Sequence, residues 1–138
     1  MKADLYLVDT SAWLEVLRPG SVVPGLVERV DTLLAADAVA TAGVVRLELL
    51  GGTRTESEYR RLQELLWALH VLPTEEDRWT EAALLGFQLR REGITMPFTD
   101  LLIAAVSTHY EAALVHRDRH FDLIARRYPL KVESYVGA

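Results

Sequence analysis

Four acidic side chains interrupt runs of apolar residues in this sequence. Asp9 follows Tyr6-Leu7-Val8 and precedes Thr10-Ser11. Glu48 sits within Val44-Val45-Arg46-Leu47-Glu48-Leu49-Leu50, where helical spacing puts it on one face with Val44 and Val45. Asp100 opens Thr99-Asp100-Leu101-Leu102-Ile103-Ala104-Ala105-Val106 and shares a stripe with Ile103, Ala104 and Ser107. Asp118 lies in His116-Arg117-Asp118-Arg119-His120-Phe121-Asp122, just past the apolar Ala113-Leu114-Val115. A buried carboxylate without a partner is costly, so each needs an arginine, backbone N–H groups or a metal ion. Taken singly, Asp9 could serve as a helix cap and Asp100 as a first-turn charge favoured by the helix dipole. Gathered at one edge, the four would repel, by about 4 kcal/mol for a pair roughly 4 Å apart at an effective dielectric of about 20. A hard divalent cation, Mg²⁺ or Mn²⁺, removes that conflict because both prefer carboxylate oxygen and water. An oxygen-lined site that keeps water on its ion can activate a nucleophile against a phosphodiester.

The elements that must position these residues alternate between strand and helix patterns. Leu5–Val8 reads as a buried strand. Ala12–Leu17 reads as a short helix stopped at Pro19-Gly20, and a second helix begins at Pro24, a favoured first helical residue. Strands are expected at Ala38–Thr41, Val71-Leu72, Ala112–Val115 and Lys131–Tyr135. Helices are expected at Val44–Leu50, Ser57–Leu69, Glu75–Arg91 and Asp118–Arg127, with another from Asp100 to about Tyr110 capped by Thr99. Such alternation implies a parallel sheet covered on both faces, a single three-layer α/β domain over residues 1–138. In open parallel sheets ligands bind beyond the carboxyl ends of strands. Asp9 and Asp118 both occupy that position, and they converge if the first and fourth strands are neighbours.

Composition sets the outer limits. The chain has 138 residues, enough for one core, with no cysteine and hence no thiolate metal site or disulfide framework. No apolar run is long enough to span a bilayer, and the first residues lack the long apolar core of a secretion signal. Cytoplasmic location without membrane association is the expectation. The net charge of −5 excludes a polyanion binder held by its overall field. Any phosphate-binding surface must therefore be local, and Arg117 and Arg119, which flank Asp118, are the candidates for phosphate contact.

In Val8-Asp9-Thr10-Ser11-Ala12-Trp13, Arg46-Leu47-Glu48-Leu49, Thr99-Asp100-Leu101-Leu102-Ile103-Ala104-Ala105 and the segment from His116 to Asp122, the sequence resembles the PIN-domain ribonucleases, and among them the VapC toxins of toxin–antitoxin pairs. The resemblance implies a PIN-like fold with a central parallel sheet of about five short strands and helices on both faces. It implies metal-dependent RNA hydrolysis with Mg²⁺, or Mn²⁺ as substitute. Asp9 and Asp100 would be the principal ligands, Glu48 and Asp118 would complete the quartet, and Thr10 or Ser11 would give a hydroxyl contact. It further implies a cognate VapB-type antitoxin and a homodimer. His116 departs from the pattern, because Thr or Ser more often stands there, and that puts the hydrogen bonding of Asp118 in question.

His116, Asp118 and His120, at i, i+2 and i+4, would aim one way from an extended segment and form a transition-metal site. If the chain instead curls into helix after Val115, the two histidines diverge. Rival functions fit less well. A phosphatase of the haloacid-dehalogenase type needs a second Asp two residues after the first, where Ser11 stands. A receiver domain needs an acceptor Asp after its third strand, where Pro73-Thr74 follows. A non-catalytic RNA- or protein-binding module on the same scaffold would be expected to have lost part of the quartet, and a housekeeping RNA-processing nuclease would differ only in context.

Overall fold

The structure, a computed structural model, describes residues 4–137. In chain order the elements are β1 (Tyr6–Val8), α1 (Thr10–Leu17), α2 (Leu26–Ala35), β2 (Val39–Thr41), α3 (Gly43–Gly51) and α4 (Glu56–Trp67). They continue with β3 (His70–Val71), α5 (Glu76–Arg91), α6 (Phe98–His109), β4 (Ala113–His116), α7 (Arg119–Ala125) and β5 (Val132–Ser134). The five strands form one parallel sheet in the order β3-β2-β1-β4-β5. Leu7 and Val8, Val39 to Thr41, and Leu114 to His116 are buried at consecutive positions. Successive strand residues face opposite sides of a sheet, so both faces are covered by helices, as the α/β pattern predicts. Among the described residues no helix is long and apolar enough to cross a membrane.

The strand order reverses between β1 and β4. From β1 the chain runs outward through β2 and β3, and it then returns to the other side of β1 for β4 and β5. A crevice opens at such a reversal, beyond the carboxyl ends of the two central strands. Tyr6, Leu7 and Val8 pair with Ala113, Leu114 and Val115, and the Asp9 N–H donates to the Val115 carbonyl at 2.9 Å. The register therefore carries Asp9 to the rim of the crevice and leaves Arg117-Asp118 opposite.

The helices begin and end for local reasons, and several boundaries differ from expectation. α2 starts at Leu26 because Gly25, at φ +78°, takes a left-handed conformation that Pro24 cannot extend into helix. α6 starts at Phe98 with Pro97 at its cap position, so Thr99 lies inside the first turn and caps nothing. β3 is shifted by one residue, to His70–Val71. Asp9 and Asp118 cap α1 and α7 with their own side chains. Gly93, at φ +83°, follows α5 in the left-handed conformation that a C-terminal turn prefers.

The core is built from the sheet and the inward stripes of the helices, with Trp13, Leu26, Ile103, Leu114, Phe121 and Ile124 almost wholly buried. α6 is buried at every position from Leu101 to Ser107, between α5 on one side and β4, α3 and α7 on others. It therefore presents Asp100, at its first turn, from a rigid support. Leu114 lies at the centre of β4 with no exposure. Leu114→Ala should lower stability by about 2–5 kcal/mol in urea unfolding, through lost burial and the cavity left behind; a change below 1 kcal/mol would mean the strand is not packed on both faces.

Candidate active site

Each of the four acidic residues reaches the crevice from a different element. Asp9 ends β1, Glu48 rises from α3, Asp100 from the first turn of α6, and Asp118 lies between β4 and α7. One oxygen of each is held by the protein. Asp9 Oδ2 accepts from the Ser11 N–H at 2.9 Å and from the Ser11 hydroxyl at 2.6 Å. Glu48 Oε1 accepts from the Thr10 hydroxyl at 2.9 Å. Asp100 Oδ2 lies 2.9 Å from His120 Nδ1, and Asp118 Oδ1 accepts from the His120 backbone N–H at 2.9 Å. The second oxygen of each carboxylate, Oδ1 of Asp9 and Asp100, Oδ2 of Asp118 and Oε2 of Glu48, has no hydrogen-bond partner among the described residues.

The electrostatics link the four. Burial pushes the Asp9 carboxyl above its ordinary value, the Ser11 hydrogen bonds pull it back, and the Glu48 carboxylate pushes it up again. Asp100 is pushed up to about 6, first by burial and then by the charges of Asp118 and Asp9, against the opposing pull of His120. The repulsions run from Glu48 to Asp9, from Asp9 to Asp100 and from Asp100 to Asp118. No arginine forms an ion pair with any of the four among the described residues. Carboxylates fixed by one oxygen, crowded together and unpaired by cationic arginine or lysine, are the donor chemistry of a divalent-cation site. Asp100, Asp118 and His120 each offer an atom within 4.8 Å of the other two.

One expectation is corrected. Glu48, placed on the apolar stripe by its spacing, is exposed, because the last residues of α3 buried against the core are Leu49 and Leu50. It reaches the site by rising past the surface to Thr10. The two histidines diverge, because the strand ends at His116 and the chain then turns into α7. His116 is fully buried, and its Nδ1 accepts the Asp118 backbone N–H at 3.1 Å. The imidazole thus supplies the acceptor that a hydroxyl at this position would have offered, and the proton resides on Nε2. Nε2 lies 3.2 Å from Asp122 Oδ1 but off the line of a straight hydrogen bond. Burial holds the His116 pKa below its ordinary value despite the nearby Asp122, Asp9 and Asp118.

Ser11 joins the two halves of the rim, since its hydroxyl also accepts the Arg117 N–H at 2.9 Å. Both flanking arginines are exposed. Arg117 lies 3.6 Å from Glu15, whereas Arg119 has no ion-pair partner among the described residues. Glu15 itself is buried on α1 beside Arg18 and Arg117. Its place in Trp13-Leu14-Glu15-Val16, inside an apolar helix, was a signal the four-carboxylate pattern left unused.

A family model described as the PIN domain matches residues 6–127, nearly the whole chain. The chain belongs to the PIN-domain family. It is 34% identical to Ribonuclease VapC11 of Mycobacterium tuberculosis over 136 residues, covering 95% of this chain and 99% of that protein. It is 33% identical to Ribonuclease VapC51 of the same organism over 125 residues, covering 87% of this chain and 85% of that one. Among solved structures, VapBC2 of Rickettsia felis, bound to a DNA fragment from its promoter, superposes with a TM-score of 0.77 at 20% identity over 94% of this chain and 98% of that one. The expected three-layer fold and the expected place among VapC ribonucleases are both borne out.

The crowding in this PIN domain carries a consequence for stability. An Asp pKa raised in the folded state means that the ionised form destabilises the fold at pH values above about 6, and that this penalty fades as pH falls towards the ordinary value of 3.8. Without divalent cations at pH 7.5, Asp100→Asn should raise the melting temperature by about 3–8 °C, on the order of 1–2 kcal/mol. The gain should shrink at pH 4.5. Differential scanning calorimetry in EDTA measures it, and a lower melting temperature for the variant at pH 7.5 would contradict the repulsion.

Proposed function

We propose that this chain is a VapC-type endoribonuclease, a single PIN domain that hydrolyses RNA phosphodiesters with the help of a divalent cation, Mg²⁺ or Mn²⁺. One observation carries the reading: four carboxylates from separate elements meet at the strand-order reversal, each with one oxygen anchored and one without a partner among the described residues. The relatives named as VapC ribonucleases support the same chemistry.

Asp9, Asp100, Asp118 and Glu48 would hold the cation. When bound, it supplies positive charge against the scissile phosphate and lowers the pKa of a water molecule. The protein's own part is positioning. Ser11 fixes the rotamer of Asp9 through two bonds to one oxygen, and Thr10 does the same for Glu48 with one. The His116 ring fixes the Asp118 backbone. Arg119, exposed and without an ion-pair partner among the described residues, is placed to meet a phosphate beside the acidic rim, and Arg117 joins it once released from Glu15. Several other arginines are engaged elsewhere on the surface. Arg60 pairs with Glu56, Arg127 with Glu92, and Arg91 stacks on Phe87.

A VapB-type antitoxin and a second copy of the chain are the proposed partners, and the compartment is the cytoplasm. The solved VapB–VapC complex that shares this fold supports the first. Two apolar surfaces are available to such partners. One is an open groove of about 650 Å³ between α5 and α6, lined by Trp79, Phe87, Met96 and Phe98. The other is a shallow patch on α3 and α4, where Leu47, Leu50 and Tyr59 surround Trp67 and Arg46 lies over its ring.

Purified protein freed of any antitoxin, incubated with total RNA, should cleave with Mg²⁺ or Mn²⁺ and not in EDTA. Asp9→Asn/Asp100→Asn should lose at least 100-fold in rate, about 2.7 kcal/mol of transition-state stabilisation. Sequencing of the new ends identifies the target. Cleavage that persists in the double variant would place the chemistry elsewhere, and folded protein that binds RNA without cutting it would favour a binding module.

A further inference from the structure

We propose that His120 is a nitrogen ligand of the cation at this site, which makes the centre a mixed carboxylate–imidazole site suited to a transition ion such as Mn²⁺ over Mg²⁺. The inference rests on the metal site proposed above and adds to it a residue outside the acidic quartet.

The geometry carries it. His120 Nδ1 lies 2.9 Å from Asp100 Oδ2 and 3.3 Å from Asp118 Oδ1. Adjacent ligands on a six-coordinate ion with bonds of about 2.1 Å stand about 3 Å apart. The imidazole nitrogen already occupies such a position relative to both carboxylates, and one donor atom from each of the three residues falls within 4.8 Å of the others. The three residues are therefore grouped closely enough to share one ion. The residues are also reachable, since the side chains of His120 and Asp118 are 35% and 33% exposed.

The surrounding structure holds the ring in place. His120 is the second residue of α7, and its backbone N–H is fixed to Asp118 Oδ1, so the imidazole leaves the helix on the same side as the carboxylate. Ligation uses the Nδ1 lone pair, with the ring proton on Nε2. Nε2 has no protein acceptor among the described residues, so that proton faces water, and the Nδ1–Asp100 Oδ2 hydrogen bond gives way to bonds from both groups to the ion. His116 plays no part in this, being buried and occupied by the Asp118 N–H. Imidazole is a good ligand for Mn²⁺ and the later divalent transition ions, whereas Mg²⁺ favours an all-oxygen shell with several waters.

Pulsed electron paramagnetic resonance of Mn²⁺ bound to the full chain tests the assignment directly. The wild-type spectrum should show coupling to an imidazole ¹⁴N, and His120→Asn, checked for folding by circular dichroism, should lose it. Calorimetric titration should show Mn²⁺ binding at least 10-fold tighter than Mg²⁺ to the wild type, with that preference reduced in His120→Asn. Mn²⁺ bound in an Asp100-dependent manner but showing only water and no nitrogen coupling would overturn the role of His120 and leave the carboxylate site standing. Nitrogen coupling that persists in His120→Asn would also overturn it, by pointing to another histidine. Absence of any Mn²⁺ binding that Asp100→Asn abolishes would overturn this inference together with the metal site beneath it.

Discussion

Mutual repulsion among carboxylates that the fold forces together is the constraint on which the rest of this structure turns. Asp9 and Asp100 are each lifted by burial and by a neighbouring acidic charge, and no arginine among the described residues relieves them. A fold selected for stability alone would have no reason to keep such a cluster. The anchoring bonds from Ser11, Thr10 and His120 hold the carboxylates in place without neutralising the whole group. What remains is a preformed concentration of negative charge that a small hard cation can enter and satisfy.

The scaffold explains how short elements achieve this. The three residues of β1 pair in register with Ala113 to Val115 of β4, and Leu7, Val8, Leu114 and Val115 are buried, so the backbone at the carboxyl ends of the two strands is rigid. The Asp9 N–H, bonded to Val115, continues that pairing one residue beyond the strand. α6, embedded along most of its length, delivers Asp100 from a third direction. Ser11 then bonds both Asp9 and the Arg117 backbone, so the loops beyond β1 and β4 cannot move independently. The site depends on the parallel topology because only neighbouring strands that point the same way bring two loops to one edge.

Much of this was legible in the sequence because the signals were local. Apolar triplets ending at Asp9 and at His116 marked the central strands, and the alternation of elements fixed a parallel sheet. The convergence of Asp9 with Asp118 followed from one topological condition, the adjacency of β1 and β4, which the pairing of Leu7 with Leu114 meets. Glu48 was misjudged because helical periodicity reports which residues share a face, and on a short helix the boundary of the buried face is set by tertiary neighbours. The histidines diverge because a strand-to-helix turn after His116 changes the period from 2 to 3.6 within a few residues. Arg117 contacts Glu15 across the fold, and a pair of that kind has no signature in spacing at all.

Anomalous diffraction from crystals grown with Mn²⁺ tests the central claim most directly, because it locates the ion without relying on turnover. The account predicts a single strong peak in the crevice beyond β1 and β4, within about 2.0–2.3 Å of oxygens from Asp9, Asp100 or Asp118. Full-occupancy Mn²⁺ found elsewhere on the molecule, with these carboxylates paired instead to arginine or to one another, would contradict it.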